Sequence, residues 1–271
     1  MDEALATNPD VAFITNITAK HMDVALKCAN AGCDIFLEKP VSNTFDGVME
    51  LDRIAKEKNL VVFMGYQNRY HPCIKKLRKY LDNNSIGCLV TVEAAFCERL
   101  ITMHTYEDYS TTYMARKEMG GGPLLNLQIH DIDLLQWLFG MPVEGSLNIL
   151  KDTNSSLKID VEDNALITYK TIYKGSPLSV VSKSDFLCYP PVHTFRIIGD
   201  KGRIDIDMNN AIITKYDMDG QEEETIFSDF QRNDMFIEEL QDFSKCINYG
   251  SKAAIPLSEG IEGLMIALGL A

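Results

Sequence analysis

The first third of the chain alternates short apolar runs with segments of helical periodicity. The apolar runs span residues 11–15 (VAFIT), 34–40 (DIFLEKP) and 60–66 (LVVFMGY). The helical segments span residues 19–32, 44–59 and 71–87, and glycine closes the first and the third. Apolar, β-branched runs joined by helices predict a parallel, doubly wound sheet.

The pattern changes after Gly87. An alternating run at 88–99 leads into a polar loop rich in tyrosine, and a helix is then predicted from Gly120 to Gly140. Strand-like runs follow at 164–173, 178–187, 193–199, 203–208 and 211–218, and helical patterns at 234–250 and 259–271. The sequence therefore predicts a mostly antiparallel sheet in this part. We expect two closely packed domains, residues 1–85 and residues 86–271.

Composition narrows the class of protein. Of the 271 residues, 46% are hydrophobic and 24% charged, which is typical of a globular protein that buries a full core. The formal net charge of -13 argues against a nucleic acid or an anionic membrane as partner, because no basic surface is available to neutralise phosphates. Part of the acidity lies in residues 217–230, which we interpret as a solvated hairpin and loop.

Targeting signals and metal motifs are not evident. The acidic start MDEALATNPD lacks the apolar core of a signal peptide, and no apolar run reaches the ~18 residues of a membrane helix. The seven cysteines are odd in number and form no CxxC pair, which argues against a structural zinc site and suits a reducing compartment. We predict a cytoplasmic protein without a metal site.

A polar pair stands near the start of the predicted Gly120–Gly140 helix. Asn126 and His130 are four residues apart and therefore lie on adjacent turns of one face, directly after three glycines. One interpretation is a partly buried pair that pins the helix to the sheet. The glycines favour a functional site, since they carry a conformational cost and are useful where another group approaches the backbone closely.

Polar residues also follow each strand of the predicted parallel sheet, where ligands bind in such folds. Lys39 and its neighbour Glu38 end one strand; Thr15 and Asn16 follow another, with His21 in the next helix. Gln67 and Arg69 follow the third strand. Each of these has a structural alternative. Lys39 could be a surface lysine, and the segment at Thr15 could cap a helix. Arg69 could form an inter-domain salt bridge instead of contacting a carboxylate, phosphate or polyol.

The loop from His104 to Met119 is rich in aromatic and acidic residues. Sugar sites use such side chains, and so do exposed lids and oligomer contacts. His104, Tyr106 and Tyr113 are candidate substrate contacts in this loop.

The ordered set EKP, GYQNRYHP and GGG…N…HDID…WLFG resembles the glucose–fructose oxidoreductase, inositol dehydrogenase and rhizopine-catabolism family (Gfo/Idh/MocA) over nearly the whole chain. The resemblance implies a Rossmann-type parallel sheet that binds NAD or NADP, followed by an α+β domain with an open, mostly antiparallel sheet. It implies hydride transfer between nicotinamide and a hydroxyl of a sugar, sugar derivative or cyclic polyol. It also implies a homo-oligomer, a dimer or tetramer.

The resemblance assigns the site residues as follows. The lysine of the family's EKP motif corresponds to Lys39, the helix histidine to His130 and the residue four before it to Asn126. A histidine suits a proton acceptor, and a nearby ammonium stabilises developing alkoxide charge. Lys39 is also expected beside the nicotinamide half of the cofactor, together with five further residues: Thr15, Asn16, His21, Glu38 and Gln67.

Two features depart from the family pattern. The family commonly has aspartate where this chain has Asn126, and an amide orients a histidine without raising its basicity. No GxGxxG turn exists in the sequence, so only part of a Rossmann sheet is expected and we interpret the chain as a fragment cut at both ends. The alternatives are an NAD-dependent glycoside hydrolase that uses the same site and a non-catalytic sugar-binding or oligomer-forming protein.

Overall fold

The computed structural model describes all residues, 1–271, as two sheets with helices packed between and around them. The strands are β1 (Val11–Ile14), β2 (Asp34–Glu38), β3 (Val62–Gly65), β4 (Leu89–Cys97), β5 (Asn148–Asp152), β6 (Asn164–Tyr173), β7 (Ser176–Asp185), β8 (Val192–Gly199), β9 (Gly202–Asp207), β10 (Ile212–Asp217) and β11 (Glu222–Ile226). The α-helices are α1 (Asp2–Leu5), α2 (His21–Ala31), α3 (Val48–Lys58), α4 (Pro72–Asp82), α5 (Leu100–Met103), α6 (Ile129–Phe139), α7 (Arg232–Tyr249) and α8 (Leu257–Leu268). A π-helical segment, Leu124–Gln128, leads into α6.

The first sheet contains three parallel strands in the order β1-β2-β3, which confirms the predicted parallel sheet. Phe13, Phe36 and Phe63 occupy one cross-strand row, and the ring of Phe243 from α7 packs on all three at centroid distances of 5.5, 5.5 and 5.7 Å. Aromatic rings in such contacts bury a large apolar area. This packing ties α7, from near the end of the chain, to the first sheet.

The second sheet contains eight strands in the order β11-β10-β9-β8-β4-β7-β6-β5. All neighbours are antiparallel except β4 and β7, which confirms the predicted mostly antiparallel sheet. Residues alternate between buried and partly exposed along β6 and β7, as expected when only one face is covered. The other face is open.

One apolar cluster runs through both sheets. It contains residues of β1 to β3, of the helices α6 and α8, and of β4 and β6 to β10. A second, smaller cluster, centred on Phe186 and Leu127, lies under the tyrosine-rich loop. The two sheets therefore meet across a continuous core, and polar groups at this junction are buried.

Some expected details differ from the structure. The predicted Gly120–Gly140 helix begins with the π-helical segment and is regular only from Ile129. Gly269, with φ 71°, forms the C-cap of α8, which ends at Leu268. The acidic run at 217–230 forms the edge strand β11 in a hairpin with β10, as interpreted from its composition. None of the helices combines the length and the apolar character required to cross a membrane.

Candidate active site

Lys39 lies at the junction of the two sheets. It follows β2 directly, and its Nζ donates a hydrogen bond to the backbone carbonyl of Asn126 at 3.0 Å. The Lys39 ammonium is buried among protein atoms, although part of the side chain lines an adjoining cavity. Burial therefore lowers the pKa of Lys39 to about 8; Glu38 acts against this shift and Arg232 adds to it.

Asn126 is held by the glycine segment. Its Nδ2 donates to the carbonyls of Gly122 at 2.8 Å and Gly120 at 3.3 Å, so the amide does not reach His130. The π-helical geometry around Asn126 leaves its own carbonyl available to Lys39. Asn126 therefore orients the site through its backbone oxygen and Lys39, and not, as the sequence suggested, through contact with the histidine.

The three glycines allow close chain packing. A Cβ on Gly121 would lie 2.5 Å from the carbonyl oxygen of Met114, and one on Gly122 would lie 2.2 Å from the Glu162 carboxylate. Gly120, with φ 83°, packs against Thr18, which lies three residues before the start of α2. The groups that approach the backbone here therefore include the tyrosine-rich loop (residues 104–119), the Glu162 side chain, and Thr18 of the segment that follows β1.

His130 lies one turn further along and is 6% exposed. Its Nδ1 is buried without a hydrogen-bond partner, which leaves Nε2 as the ring nitrogen available to the cavity. Burial lowers the pKa of His130 well below its ordinary value, and Lys39, His193 and Arg232 lower it further. The imidazole is therefore neutral at pH 7 and can accept a proton.

The cavity beside Lys39 and His130 has a volume of about 640 Å³. Among the predicted residues, Gln67, His104 and Tyr113 line it with Lys39, Asn126 and His130. Tyr106 does not: its side chain is 81% exposed, and its hydroxyl contacts His104 Nδ1 at 2.9 Å, so its role as a substrate contact stays a prediction.

Arg69 does not line the cavity either. It pairs with both oxygens of the buried Asp133 on α6, through Nε at 2.8 Å and Nη2 at 2.5 Å, and with Glu259 on α8. Its guanidinium also packs 4.9 Å from the centre of the Trp137 ring. The salt-bridge alternative is therefore the one observed, because all of its donors face carboxylates and not the cavity.

A second cavity, of about 390 Å³, adjoins the first and shares Lys39, Tyr113 and Asn126 with it. It lies beyond the carboxyl ends of β1 and β2, and Thr15, Asn16, His21 and Glu38 also line it. The hydroxyl, amide and carboxylate groups of this set suit the polar groups of a nicotinamide and its ribose. His21 contributes mainly structure, since its ring nitrogens contact the carbonyls of Pro40 at 2.8 Å and Asn16 at 2.9 Å.

Several further residues line the larger cavity that the sequence patterns did not indicate: His71, Phe96, Glu98, His193 and Arg232. His193 is the most informative of them, because it is a polar residue at a buried position of a strand that otherwise presents Phe195 and Ile197 to the core. That break in the alternation was the available signal. Arg232 begins α7 and has no ion-pair partner. Burial raises the pKa of Glu98, and the positive charge of Arg232 lowers it by a smaller amount.

Comparison with protein families gives two matches. Residues 1–66 match the model described as oxidoreductase family, NAD-binding Rossmann fold. Residues 74–205 match the model described as GFO/IDH/MocA C-terminal domain. Together they extend over the three-stranded sheet and over most of the eight-stranded sheet, without β10 and β11.

Relatives with curated names include dehydrogenases of polyols and glycosides. The chain is 24% identical over 265 residues to a myo-inositol 2-dehydrogenase of Thermotoga maritima, covering 96% of this chain and 75% of that protein. It is 26% identical over 145 residues to a D-glucoside 3-dehydrogenase of Escherichia coli, covering 53% of this chain and 40% of that protein.

Solved structures share the fold. A levoglucosan dehydrogenase in complex with NADH superposes with a TM-score of 0.86 at 18% identity, covering 99% of this chain and 79% of that one. A UDP-N-acetylglucosamine 3-dehydrogenase from Acidithiobacillus ferrooxidans gives a TM-score of 0.78 at 22% identity, covering 100% and 80%.

Proposed function

The chain belongs to the Gfo/Idh/MocA family of NAD-binding oxidoreductases, and on that basis we propose that it transfers hydride between nicotinamide and a hydroxyl or keto group of a sugar, sugar derivative or cyclic polyol. The observation that carries this proposal is the placement of Lys39 and His130 in one cavity, with Lys39 shared by the adjoining cavity at the carboxyl edge of the parallel sheet. The substrate class is supported by the myo-inositol and D-glucoside dehydrogenases among the relatives.

We assign complementary roles to Lys39 and His130. The Lys39 ammonium, fixed by the Asn126 carbonyl, would hold the substrate oxygen and stabilise negative charge on it. His130 Nε2 would accept the hydroxyl proton on oxidation and return it on reduction. Asn126 is a positioning residue, since it acts through Lys39. His104, Tyr113 and Gln67 would contact the substrate or the nicotinamide from the cavity wall.

The bound nicotinamide supplies the hydride acceptor or donor, which no side chain provides. Thr15, Asn16 and Glu38 would hold its polar groups in the smaller cavity. Glu38 lies where the carboxyl ends of β2 and β3 meet, and a Cβ on Gly65 would come 3.2 Å from its carboxylate. The sequence offers no GxGxxG turn for the pyrophosphate.

We further propose a homo-oligomer, a dimer or tetramer, that uses the open face of the eight-stranded sheet. Support comes from a groove of about 500 Å³ on that face, which mixes apolar side chains such as Val181 with charged ones such as Arg196 and Asp205. Sedimentation velocity should give a mass of two or four chains, and Val181→Arg should reduce it. A single-chain mass for the unmodified protein would exclude the proposal.

We also propose that the protein works in the cytoplasm. All seven cysteines are free thiols, five of them buried, as suits a reducing compartment. Cell fractionation would test this placement, and recovery outside the cytoplasm would overturn it.

The test of the proposed reaction is NADH formation from NAD with a panel of myo-inositol, D-glucose and methyl glucoside. Lys39→Ala and His130→Ala should each lower kcat about 10²- to 10⁴-fold. Lys27→Ala, a change at an exposed lysine, is the matched control and should leave the rate unchanged. Cleavage of methyl glucoside without net NADH would favour the glycoside hydrolase alternative, and absence of both turnover and binding with NAD and with NADP would favour a non-catalytic protein.

A further inference from the structure

The larger cavity contains a second buried imidazole whose placement the proposed roles do not use. His193 is 6% exposed, and its ring stacks on Phe96 with a centroid distance of 4.0 Å and an interplanar angle of 6°. The same Phe96 ring lies 6.1 Å from the centroid of His130. The two histidines therefore share one aromatic wall of the cavity.

His193 is oriented by a carboxylate. Its Nε2 lies 2.9 Å from Oδ1 of Asp131, the residue next to His130 on α6. Asp131 is fully buried, and its Oδ2 has no hydrogen-bond partner. A buried carboxylate with so little compensation is costly. A hydrogen bond between α6 and β8 does not require a buried charge, because the side-chain oxygen of an asparagine at position 131 would accept the same hydrogen bond.

The carboxylate instead fixes which nitrogen of His193 carries the proton. Because Asp131 accepts the Nε2 hydrogen, the neutral ring keeps its lone pair on Nδ1. No protein group bonds to Nδ1, and the ring lines the cavity. An acceptor held rigidly at the wall of a cavity suits a hydroxyl donor.

His71 in the same cavity provides an internal contrast. Its Nε2 contacts the Met208 carbonyl at 3.2 Å, and its Nδ1 accepts from the Cys73 amide at 3.2 Å. Both nitrogens of His71 therefore serve the protein's own structure. Only one nitrogen of His193 does.

We propose that Nδ1 of His193 accepts a hydrogen bond from a substrate hydroxyl other than the one that is oxidised, and thereby selects substrates with a hydroxyl at that position. The proposal rests on the proposed function for the class of substrate. It makes His193 a specificity-determining residue and Asp131 the residue that positions it.

The kinetic test removes the nitrogen and keeps the ring. His193→Phe retains an aromatic side chain against Phe96, and Asp131→Asn/His193→Phe also removes the buried charge in case the single variant folds poorly. The substrate oxidised fastest in the panel above is compared with its monodeoxy analogues. Unmodified protein should show a KM roughly tenfold higher for one analogue, as expected for one lost hydrogen bond. His193→Phe should raise the KM of the parent substrate roughly tenfold and no longer distinguish that analogue.

Lys201→Ala, at the exposed turn after β8, is the control and should keep the discrimination. If His193→Phe, or the double variant where the single one does not fold, discriminates among the analogues as the unmodified protein does, the inference is wrong while the oxidoreductase function stands.

A readout independent of turnover uses the ring nitrogens. The chain has five histidines, so ¹⁵N signals of the imidazoles can be assigned by their loss in His193→Phe and His130→Ala. Addition of myo-inositol, D-glucose or methyl glucoside should shift the Nδ1 signal of His193. A shift without NAD-linked turnover would support the hydroxyl contact and remove the oxidoreductase proposal. A His193 signal that none of the three compounds moves would overturn the inference.

Discussion

At the residue scale, Lys39 is expected to set an alkaline limit to activity. Burial lowers its pKa to about 8, so the amine is charged below that pH and loses its proton above it. Because only the ammonium stabilises an alkoxide, kcat/KM should fall about tenfold per pH unit above roughly pH 8. Rate measurements across pH 6–10 would locate the limit, and its persistence unchanged in Lys39→Arg would assign it to another group.

The neighbours of Lys39 should move this limit in opposite directions. Glu38 raises the pKa of Lys39 and Arg232 lowers it. Glu38→Gln should therefore shift the alkaline limit to lower pH, and Arg232→Gln should shift it to higher pH. Each shift is measured from the same pH profile of kcat/KM. Shifts of the same sign in both variants would contradict the electrostatic account.

The candidate site was predictable where residues stand in short motifs. Lys39 follows a strand directly, and Asn126 and His130 share a helix face, so local pattern brought them together. His193 and Asp131 are 62 residues apart in sequence, and only the tertiary fold brings them together. Arg69 has three donor nitrogens that suit a ligand or a carboxylate equally, and only the position of Asp133 decides between them.

At the element scale, the glycine segment should tolerate no side chain at its centre. A Cβ on Gly121 would lie 2.5–2.8 Å from three backbone carbonyls of the tyrosine-rich loop, none of which is a flexible side-chain end. Gly121→Ala should therefore displace this loop and lower the melting temperature, and it should impair NAD-linked turnover because Asn126 is held by the adjoining carbonyls. Thermal denaturation and rate measurements check both effects.

Gly263→Ala is the matched comparison for Gly121→Ala. Its nearest neighbour would be the end of the Gln136 side chain at 3.3 Å, and alanine favours the α8 helix over glycine. The melting temperature should be unchanged or slightly higher. Equal losses in the two variants would mean that the carbonyl contacts around Gly121 are not the cause.

The ion pair of Arg69 joins the segment after β3 to α6 and α8. Arg69→Met should lower the free energy of unfolding by about 3–5 kcal/mol, because Asp133 is left buried and unpaired. Arg69→Met/Asp133→Leu should recover most of this loss. Denaturant unfolding measures both values.

Arg53→Met, which removes an exposed pair with Glu57, should change the free energy of unfolding little in the same experiment, because solvent screens an exposed pair. A loss for Arg69→Met no larger than that of Arg53→Met would show that the buried pair contributes little.

Most elements were predictable, and the exceptions have physical reasons. Nine of the strands and the longer helices correspond to clear periodic patterns, whereas β5 is a short edge strand whose residues are mostly exposed and show no alternation. The π-helical turn at Leu124–Gln128 has the same apolar spacing as an α-helix at this length. Backbone contacts of the glycine segment favour the π-helical turn over an α-helical one, and a hydrophobic pattern does not reveal such contacts.

At the scale of the whole molecule, the two sheets share one apolar core, which sequence patterns do not specify. The three-stranded sheet is continued on its β3 side by the segment before α8, where the Met64 amide donates to the Ile255 carbonyl at 2.9 Å. The segment around residue 255 therefore packs against a sheet whose strands all come from the first 66 residues. The division at residues 85 and 86 is a proposal about sequence units, and limited proteolysis near that position would test it.

Glu239 makes the stability of this shared core depend on pH. It lies on α7, 1% exposed, and its Oε1 has no partner. Burial raises its pKa from 4.5 to about 9, and Glu38 and Asp133 add to the shift. Because the folded-state pKa is the higher one, the folded state binds the proton more tightly than the unfolded state. Stability is therefore fully present below about pH 4.5 and is lost as the pH rises towards 9.

Glu239→Gln should remove this dependence, since an amide does not ionise. Relative to the unmodified protein, the variant should gain at most about 1.4 kcal/mol of unfolding free energy per pH unit between roughly pH 5 and pH 8, with little difference at pH 4.5. Denaturant unfolding at several pH values measures the gain. Glu238→Gln, at the partly exposed neighbour that pairs with Lys75, is the matched control variant. Parallel pH profiles for Glu239→Gln and the unmodified protein would mean that the Glu239 carboxyl ionises as readily in the folded chain as in the unfolded one, and the loss of stability towards alkaline pH would then have to arise at other groups of the core.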